Sequence, residues 1–192
     1  MQTNKTLAGK LLILFGPSGV GKTTVLKALC ARPNIKLRPL LTITTRAPRP
    51  AEQHGKHYNF VSQAEFLELQ TSNQLFESAH FMGNFYATPH SELDALLQGQ
   101  NLVVAVELAG LLQLQTLPQT IPVLLTAPLD VLRKRLAKRD QTLPETAITQ
   151  RLTTDMAQLA SAKQQVNFAL TIENLALAGT LQQLERLLNL PN

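Results

Sequence analysis

Cysteine, aromatic residues and long apolar runs are all scarce in this chain. Of its 192 residues, one is cysteine, none is tryptophan and 5% are aromatic. Because Cys30 has no partner within the chain, no internal disulfide can form, and we expect a cytoplasmic protein. No uninterrupted apolar stretch reaches the roughly 20 residues of a membrane helix, so we expect no membrane association. The four histidines lack the spacing of metal ligands, which argues against a structural metal centre.

The charge of the chain is moderately basic. Lysine and arginine number 18 against 13 aspartates and glutamates, which gives a net charge of +5. A basic balance is compatible with nucleic-acid binding. However, the cations are spread along the chain, and the few aromatic residues offer little surface on which bases could stack. We therefore expect small phosphorylated ligands rather than nucleic acid, bound by a single domain.

The most informative segment is Gly16-Pro-Ser-Gly-Val-Gly-Lys-Thr23, which fits the phosphate-loop pattern G-x-x-x-x-G-K-S/T. The apolar run before it, 11–15, predicts a buried parallel strand, and the pattern after it, 24–30, predicts a helix. Backbone N–H groups of such a loop bind phosphate, Lys22 would reach the outer phosphates, and the Thr23 hydroxyl would bind Mg²⁺. The predicted residues of this nucleoside-triphosphate site are Gly16, Pro17, Ser18, Gly19, Val20, Gly21, Lys22, Thr23 and Thr24.

Strand and helix patterns alternate along most of the chain. Apolar runs at 102–106, 121–126 and 168–172 predict further buried strands. Helical spacing occurs at 91–98, 129–139, 145–163 and 180–188, with capping patterns at Ser91-x-x-Asp94 and Thr142-x-x-Glu145. This alternation predicts an α/β fold of three layers, in which helices cover both faces of a parallel sheet.

The stretch 41–89 breaks the alternation. It contains short extended pieces at 41–45, 57–61, 75–81 and 85–88 and one helix near 64–70, and prolines and glycines interrupt it. We expect an inserted α+β lobe. A second irregular stretch, 139–144, separates two of the predicted helices.

The inserted stretch carries a second group of polar side chains. Arg46 and Arg49 are three residues apart with a proline between them, a spacing suited to a bidentate grip on a phosphate dianion. Tyr58 and Tyr86 can add hydroxyl donors. Each of these residues alone is typical of a solvated loop or of packing, and only their combination with the phosphate loop indicates a site.

Together with the phosphate loop, these segments resemble the guanylate kinase family. The family pattern runs T-T-R-x-P-R, then G-x-x-Y-x-F-V, then an acidic residue ahead of G-x-Y-Y-G-T, and the matching segments here begin at Thr44, Gly55, Glu77 and Gly83. The resemblance spans about 10–175. It implies phosphoryl transfer from ATP, with Mg²⁺, to GMP by a monomer or homodimer, and a carboxylate that accepts hydrogen bonds from guanine. The implied GMP-binding residues are Thr42, Arg46, Arg49, Tyr58, Glu77, Tyr86, Thr88 and Glu107.

The basic helix at 129–139 resembles the lid of that family. Arg135 and Arg139 are four residues apart and share one helix face, and Arg151 matches a further lid arginine. Closure would exclude water and neutralise charge on the transferring phosphoryl group. The implied catalytic residues are Lys22, Arg46, Arg135, Arg139 and Arg151. The resemblance divides the chain into a core (1–40, 90–132 and 152–192), a GMP-binding lobe (41–89) and a lid (133–151).

Three departures from the family pattern leave alternatives open. The family's L-D-I-D is Val104-Ala105-Val106-Glu107 here, so one carboxylate is missing beside the metal and Lys22. Ala87 replaces a glycine beside the acceptor, and Ile172 lies where the family has the asparagine of its adenine-contacting turn, a contact that Asn174 could make instead. The alternatives are a nucleotide-binding module with weak or no catalysis, and a kinase of another phosphorylated acceptor such as ribose 1,5-bisphosphate.

Overall fold

Strands and helices alternate along residues 9–49 and 52–189, the part of the chain that this computed structural model describes. The strands are β1 Leu11–Phe15, β2 Arg38–Pro39, β3 Ile43–Thr44, β4 Asn59–Phe60, β5 Leu75–Phe81, β6 Asn84–Pro89, β7 Leu102–Ala105, β8 Thr120–Thr126 and β9 Leu170–Glu173. The helices are α1 Lys22–Cys30, α2 Gln63–Thr71, α3 His90–Leu97, α4 Leu108–Leu114, α5 Leu129–Arg139, α6 Glu145–Gln165 and α7 Leu177–Asn189. Within these ranges no helix combines the length and apolarity needed to span a membrane.

The central sheet has the strand order β2-β7-β1-β8-β9, and every neighbouring pair in it is parallel. Strand β1 lies in the middle, where Leu11 is in register with Leu102 of β7 on one side and with Thr120 of β8 on the other. Because all the strands point the same way, their carboxyl ends meet at one edge. The loop that follows β1 therefore lies at the edge of the sheet where parallel α/β folds bind their ligands.

Helices cover both faces of this sheet. Leu11, Ile13 and Phe15 pack into one hydrophobic cluster, and Leu12 and Leu14 pack into the other. Since side chains alternate along a strand, β1 feeds both cores and is apolar at every position. The first cluster includes Leu96 of α3, Leu111 of α4 and Ala162 of α6, and the second includes Leu29 of α1, Leu132 of α5 and Leu184 of α7. The predicted three-layer α/β/α architecture is confirmed.

A second sheet, in the order β4-β3-β6-β5, lies in the stretch that interrupts the alternation. Strands β3 and β4 are parallel, whereas β3–β6 and β5–β6 are antiparallel. Phe66 of α2 is fully buried and packs with Ile43 and Ala87, which gives this sheet a small core of its own. The expected inserted α+β element is present, while the limits proposed for core, lobe and lid remain predictions.

Helix starts and short elements differ from the sequence expectation. Helices α3 and α6 begin after Pro89 and Pro144, and neither has a side-chain cap, so the capping patterns at Ser91 and Thr142 are wrong. Thr142 instead donates its N–H and hydroxyl to Asp140 Oδ1. Helix α4 and strand β2 are not predicted from the sequence at all. A proline at the helix boundary pre-sets the backbone, so those starts do not depend on a serine or threonine cap.

Candidate active site

Glycines fix the shape of the loop that leaves β1. Gly16 has φ 150°, and a Cβ there would lie 2.2 Å from the carbonyl oxygen of Leu125. Gly21 has φ 102°, and a Cβ there would lie 2.7 Å from Asn174 Nδ2. At Gly16 the clash with backbone excludes a side chain, and at Gly21 the positive φ strains any residue other than glycine, while Asn174 would also have to shift. The sequence motif therefore corresponds to a backbone path that other residues could not follow at these two points.

The start of α1 presents backbone donors to the space above this loop. Its N-cap is Gly21, which has no side chain to bond the first-turn N–H groups, and no other described side chain caps the helix. Those N–H groups and the positive end of the helix dipole favour an anion. Lys22 folds back so that Nζ donates to the carbonyl oxygen of Gly16 at 2.5 Å. Thr23 is exposed on the same side of the helix.

A large cavity, which we call the basic cleft, opens over this loop. Its volume is about 590 Å³, and seven cationic side chains but only two carboxylates line it. The predicted site residues that line it are Pro17, Ser18, Gly19, Gly21, Lys22, Thr23, Thr24, Arg46, Arg49, Tyr58, Tyr86, Glu107, Arg135, Arg139 and Arg151. This excess of positive charge at a helix start is suited to a polyanion. Residues from the loop, the inserted lobe and helices α5 and α6 thus face one space.

Arg46 and Arg49 already hold an anion, the carboxylate of Glu52. Arg46 Nη2 lies 2.9 Å from Glu52 Oε2, Arg49 Nη1 lies 3.8 Å from Oε1, and the backbone N–H of Arg49 donates to Oε2. The Glu52 side chain is 9% exposed. Burial alone would raise its pKa, but these hydrogen bonds and positive charges lower it below the usual range. The two arginines, which we call the arginine fork, are therefore arranged around a carboxylate of the protein itself.

Two further groups of the basic cleft have perturbed acidity. Burial, reinforced by Tyr86, raises the pKa of Tyr58 to about 12, so the phenol stays protonated and can donate. Arg139 is exposed as a whole residue, but it lines the cleft, where desolvation and then Arg49 and Arg151 lower its pKa to about 10. It is still protonated at neutral pH. The mutual repulsion behind that shift means that binding an anion would stabilise this group of side chains.

A small cavity, the carboxylate pocket, adjoins the basic cleft. It measures about 30 Å³, its lining includes Thr42, Glu77 and Gly110, and Tyr58, Tyr86 and Glu107 line both cavities. Glu77 is 5% exposed, and its Oε1 accepts a hydrogen bond of 2.7 Å from Thr88. Its Oε2 has no hydrogen-bond partner among the described residues.

Burial raises the pKa of the Glu77 carboxyl against the smaller opposing effect of Thr88. A buried acceptor left without a donor costs free energy, which is expected where a ligand supplies the missing donor. The predicted residues Gly16, Val20 and Thr88 line neither cavity. The first two form the buried side of the loop, and Thr88 lies behind Glu77.

Arginines of helices α5 and α6 bind the phosphate loop directly. Arg135 of α5 donates to the carbonyl oxygens of Val20 at 3.3 Å and Asn174 at 3.0 Å. Arg151 of α6 donates through Nε to Ser18 Oγ at 2.8 Å. Both residues also line the cleft, and each binds the backbone or a side chain of the loop.

The positions that depart from the family pattern lie around these cavities. Ala105 ends β7 and lines the carboxylate pocket, as does the fully buried Ala87. Asn174 is 5% exposed: its Nδ2 donates to the carbonyl of Val20 at 2.7 Å and its Oδ1 accepts from Thr180 at 2.7 Å. Each end of its amide thus has one partner within the protein, and Asn174 also lines the basic cleft.

Two acidic residues of the site were missed at the level of sequence. Glu52 pairs with the arginine fork, and Asp155 of α6 accepts a 2.7 Å hydrogen bond from the backbone N–H of Ser18. Asp155 is 4% exposed. The signal that the sequence offered for Asp155 was an acidic residue on the helix face that is expected to be buried. Because unpaired carboxylates are rarely buried, such a residue is expected to have a partner.

Fold and site together define a nucleotide-binding phosphate-loop protein of the phosphotransferase type: a parallel sheet, a glycine loop, a helix start and a cleft of converging arginines. The chain belongs to the guanylate kinase family, whose model, described as "Guanylate kinase", matches residues 8–190. It is 38% identical over 184 residues to a guanylate kinase of Trichodesmium erythraeum, covering 94% of this chain and 96% of that one. It is 40% identical to a guanylate kinase of Synechococcus sp., covering 96% and 84%. The fold is also that of the guanylate kinase structure from Anaplasma phagocytophilum, with a TM-score of 0.75 at 23% identity over 95% of this chain and 86% of that one.

Proposed function

We propose that this protein transfers the γ-phosphoryl group of ATP to GMP and forms ADP and GDP. The observation that carries the choice of acceptor is the buried Oε2 of Glu77, which has no hydrogen-bond partner within residues 9–49 and 52–189. Guanine presents adjacent N1–H and N2–H₂ donors, whereas adenine presents a bare N1 lone pair. Guanine would supply the hydrogen-bond donors that the Glu77 carboxylate lacks, whereas adenine would leave that carboxylate unpaired. The preference for guanine over adenine should therefore be large.

The arginine fork would hold the phosphate of GMP. Its two guanidinium groups already converge on the Glu52 carboxylate, so they present the geometry that a phosphate dianion requires. Tyr58 and Tyr86 line both cavities and would donate hydroxyl groups to the same phosphate. The base would then enter the carboxylate pocket, which Thr42, Glu77 and Glu107 line, and Thr88 would act from behind by holding Glu77 Oε1. The side chains that line this pocket would have to move apart to admit the base, because its volume of about 30 Å³ is smaller than a purine.

The phosphate loop would bind the triphosphate of ATP. Backbone N–H groups at the start of α1 and Lys22 would hold the β- and γ-phosphates, and Arg135, Arg139 and Arg151 would face the transferring group. The acceptor oxygen is already anionic, so no general base is needed, and catalysis consists of positioning and charge neutralisation.

The exposed Thr23 hydroxyl is the protein ligand that suits Mg²⁺, with nucleotide oxygens and water completing its shell. When bound, the ion would supply further neutralisation of phosphate charge. The missing carboxylate at Ala105 is the observation that favours a second candidate, a module that binds nucleotides and turns them over slowly or not at all.

A panel of acceptors tests the proposal. ADP release would be measured in a coupled assay with GMP, dGMP, AMP, UMP and ribose phosphates. We expect turnover with GMP, weaker turnover with dGMP, and rates at background with the other acceptors. Tight GMP binding without turnover of any acceptor would favour the binding module, and turnover confined to a ribose phosphate would favour a sugar-phosphate kinase.

A further inference from the structure

We propose that Asp155 is a positioning residue of the phosphate loop, which it holds in the shape that binds the donor nucleotide. The inference rests on the proposed function, since it assigns the donor triphosphate to that loop. Asp155 lies on α6, 137 positions along the chain from the loop residue it contacts. It is not part of the phosphate-loop motif.

The contact is a charge-assisted hydrogen bond inside the protein. The backbone N–H of Ser18 donates to Asp155 Oδ2 at 2.7 Å, and both residues are buried, at 7% and 4% exposure. A carboxylate that accepts from a backbone amide makes a shorter and stronger bond than a neutral acceptor. Because the site is shielded from water, breaking that bond would leave both groups unsatisfied.

Helix α6 holds Ser18 at a second atom. Arg151, one turn before Asp155, donates through Nε to Ser18 Oγ at 2.8 Å. The carboxylate therefore fixes the main chain of the loop residue while the guanidinium fixes its side chain. The guanidinium of Arg151 also lies 6.0 Å from the ring centre of Phe81 in β5, and Arg151 lines the basic cleft.

This arrangement predicts that loss of the Asp155 carboxylate impairs the use of ATP but not the binding of GMP. Asp155 supports the loop and, through Ser18, the placement of Arg151. It has no hydrogen bond to the arginine fork or to Glu77 among the described contacts. Loosening the loop should therefore weaken ATP use and leave the binding of GMP unchanged. A residue that served stability alone would impair both substrates equally or neither.

Steady-state kinetics of matched variants test this. Asp155→Ala removes the acceptor, Asp155→Asn keeps an oxygen that can accept from Ser18, and Thr153→Ala is an exposed control on the same helix. For Asp155→Ala we expect kcat/KM for ATP to fall at least tenfold, with KM for GMP within twofold of the wild type. Asp155→Asn should stay within about threefold of the wild type, and Thr153→Ala should be unchanged. Three results would overturn the proposal. They are a rise in KM for GMP as large as the fall in kcat/KM for ATP, a kcat/KM for ATP within twofold of the wild type in Asp155→Ala, and an Asp155→Asn variant with the same loss as Asp155→Ala.

A spectroscopic measurement separates this proposal from the proposed function, because it needs no turnover. In ¹H–¹⁵N spectra the Ser18 amide proton should be shifted downfield and slow to exchange, and it should move upfield in Asp155→Ala but not in Thr153→Ala. A Ser18 amide at a random-coil position in the wild type would contradict the proposal. If Asp155→Ala does not fold, Ser18→Ala keeps the amide bond and removes only the hydroxyl that holds Arg151. We then expect a smaller loss, about threefold, in kcat/KM for ATP with KM for GMP unchanged, and wild-type ATP kinetics would overturn the proposed link to Arg151.

Discussion

Replacing Glu77 with glutamine removes one acceptor from the carboxylate pocket and adds a donor. Thr88 occupies Oε1 at 2.7 Å, and Oε2 is the oxygen without a partner among the described residues. The glutamine amide either keeps its oxygen on Thr88 and turns its NH₂ group towards the donors of guanine, or turns its single oxygen to guanine and loses the acceptor for Thr88. We therefore expect Glu77→Gln to lose GMP turnover while ATP binding persists.

The size of the loss follows from the buried position of this residue. One lost hydrogen bond at a buried site costs about 1–3 kcal/mol, and an N–H group of guanine facing another donor adds to it, so we expect about 2–4 kcal/mol. That corresponds to a fall of about 30- to 700-fold in kcat/KM for GMP. Initial rates at saturating ATP measure this change, with Glu68→Gln on the exposed side of α2 as the control. Wild-type GMP kinetics in Glu77→Gln would refute the contact with guanine.

The same substitution has an opposite effect on the stability of the free protein. Burial raises the pKa of Glu77, so its contribution to stability is fully present below the unfolded pKa and is lost as the pH rises through the folded value. At pH 8, Glu77→Gln should therefore melt higher than the wild type. A gain of about 1 kcal/mol would raise Tm by roughly 2–4 °C for a domain of this size. Calorimetry at pH 8 and in acid, where the difference should vanish, checks this, and a lower Tm at pH 8 would refute it.

Three further predictions concern other parts of the site. Because the pKa of Glu52 is lowered in the folded protein, its ionised carboxylate stabilises the fold above the unfolded pKa, and this stability is lost as the pH falls through the folded pKa. Glu52→Gln should therefore lower Tm at pH 7 but not in strong acid. An unchanged Tm at pH 7 would count against the ion pairs. Ala105→Asp should raise kcat by restoring the missing carboxylate, and an equal or lower rate would show that the metal is organised in another way. Gly16→Ala places a Cβ 2.2 Å from the Leu125 carbonyl, so it should abolish ATP binding in titration calorimetry. Gly179→Ala, whose Cβ would have no atom of the described part of the chain within 4 Å, should not.

Local patterns were sufficient to predict the central architecture. The helix expected at 129–139 is α5 to the residue, and the strand expected at 11–15 is β1. Both have long or uniform apolar patterns whose period matches one type of structure. The phosphate loop was also predictable, because its glycines record a backbone path that only glycine can follow.

Contacts between distant segments could not be predicted. The bond from Ser18 to Asp155 joins residues 137 positions apart, and nothing near either residue indicates the other. Likewise, Thr142 was expected to cap α6, but it bonds Asp140, since the helix begins after Pro144. The spacing of Arg46 and Arg49 suggested a grip on phosphate, whereas the roles of Glu77 and of the lid arginines came from the resemblance to the family.

The measurement that tests the account most directly is the fate of the γ-phosphoryl group. The protein would be incubated with γ-³²P-labelled ATP, Mg²⁺ and GMP, and the nucleotides separated by chromatography. We expect the label to appear in GDP and unlabelled ADP to form in equal amount. Label that stays in ATP, or that appears as inorganic phosphate or in a nucleotide other than GDP, would contradict the assignment of one cleft to both substrates.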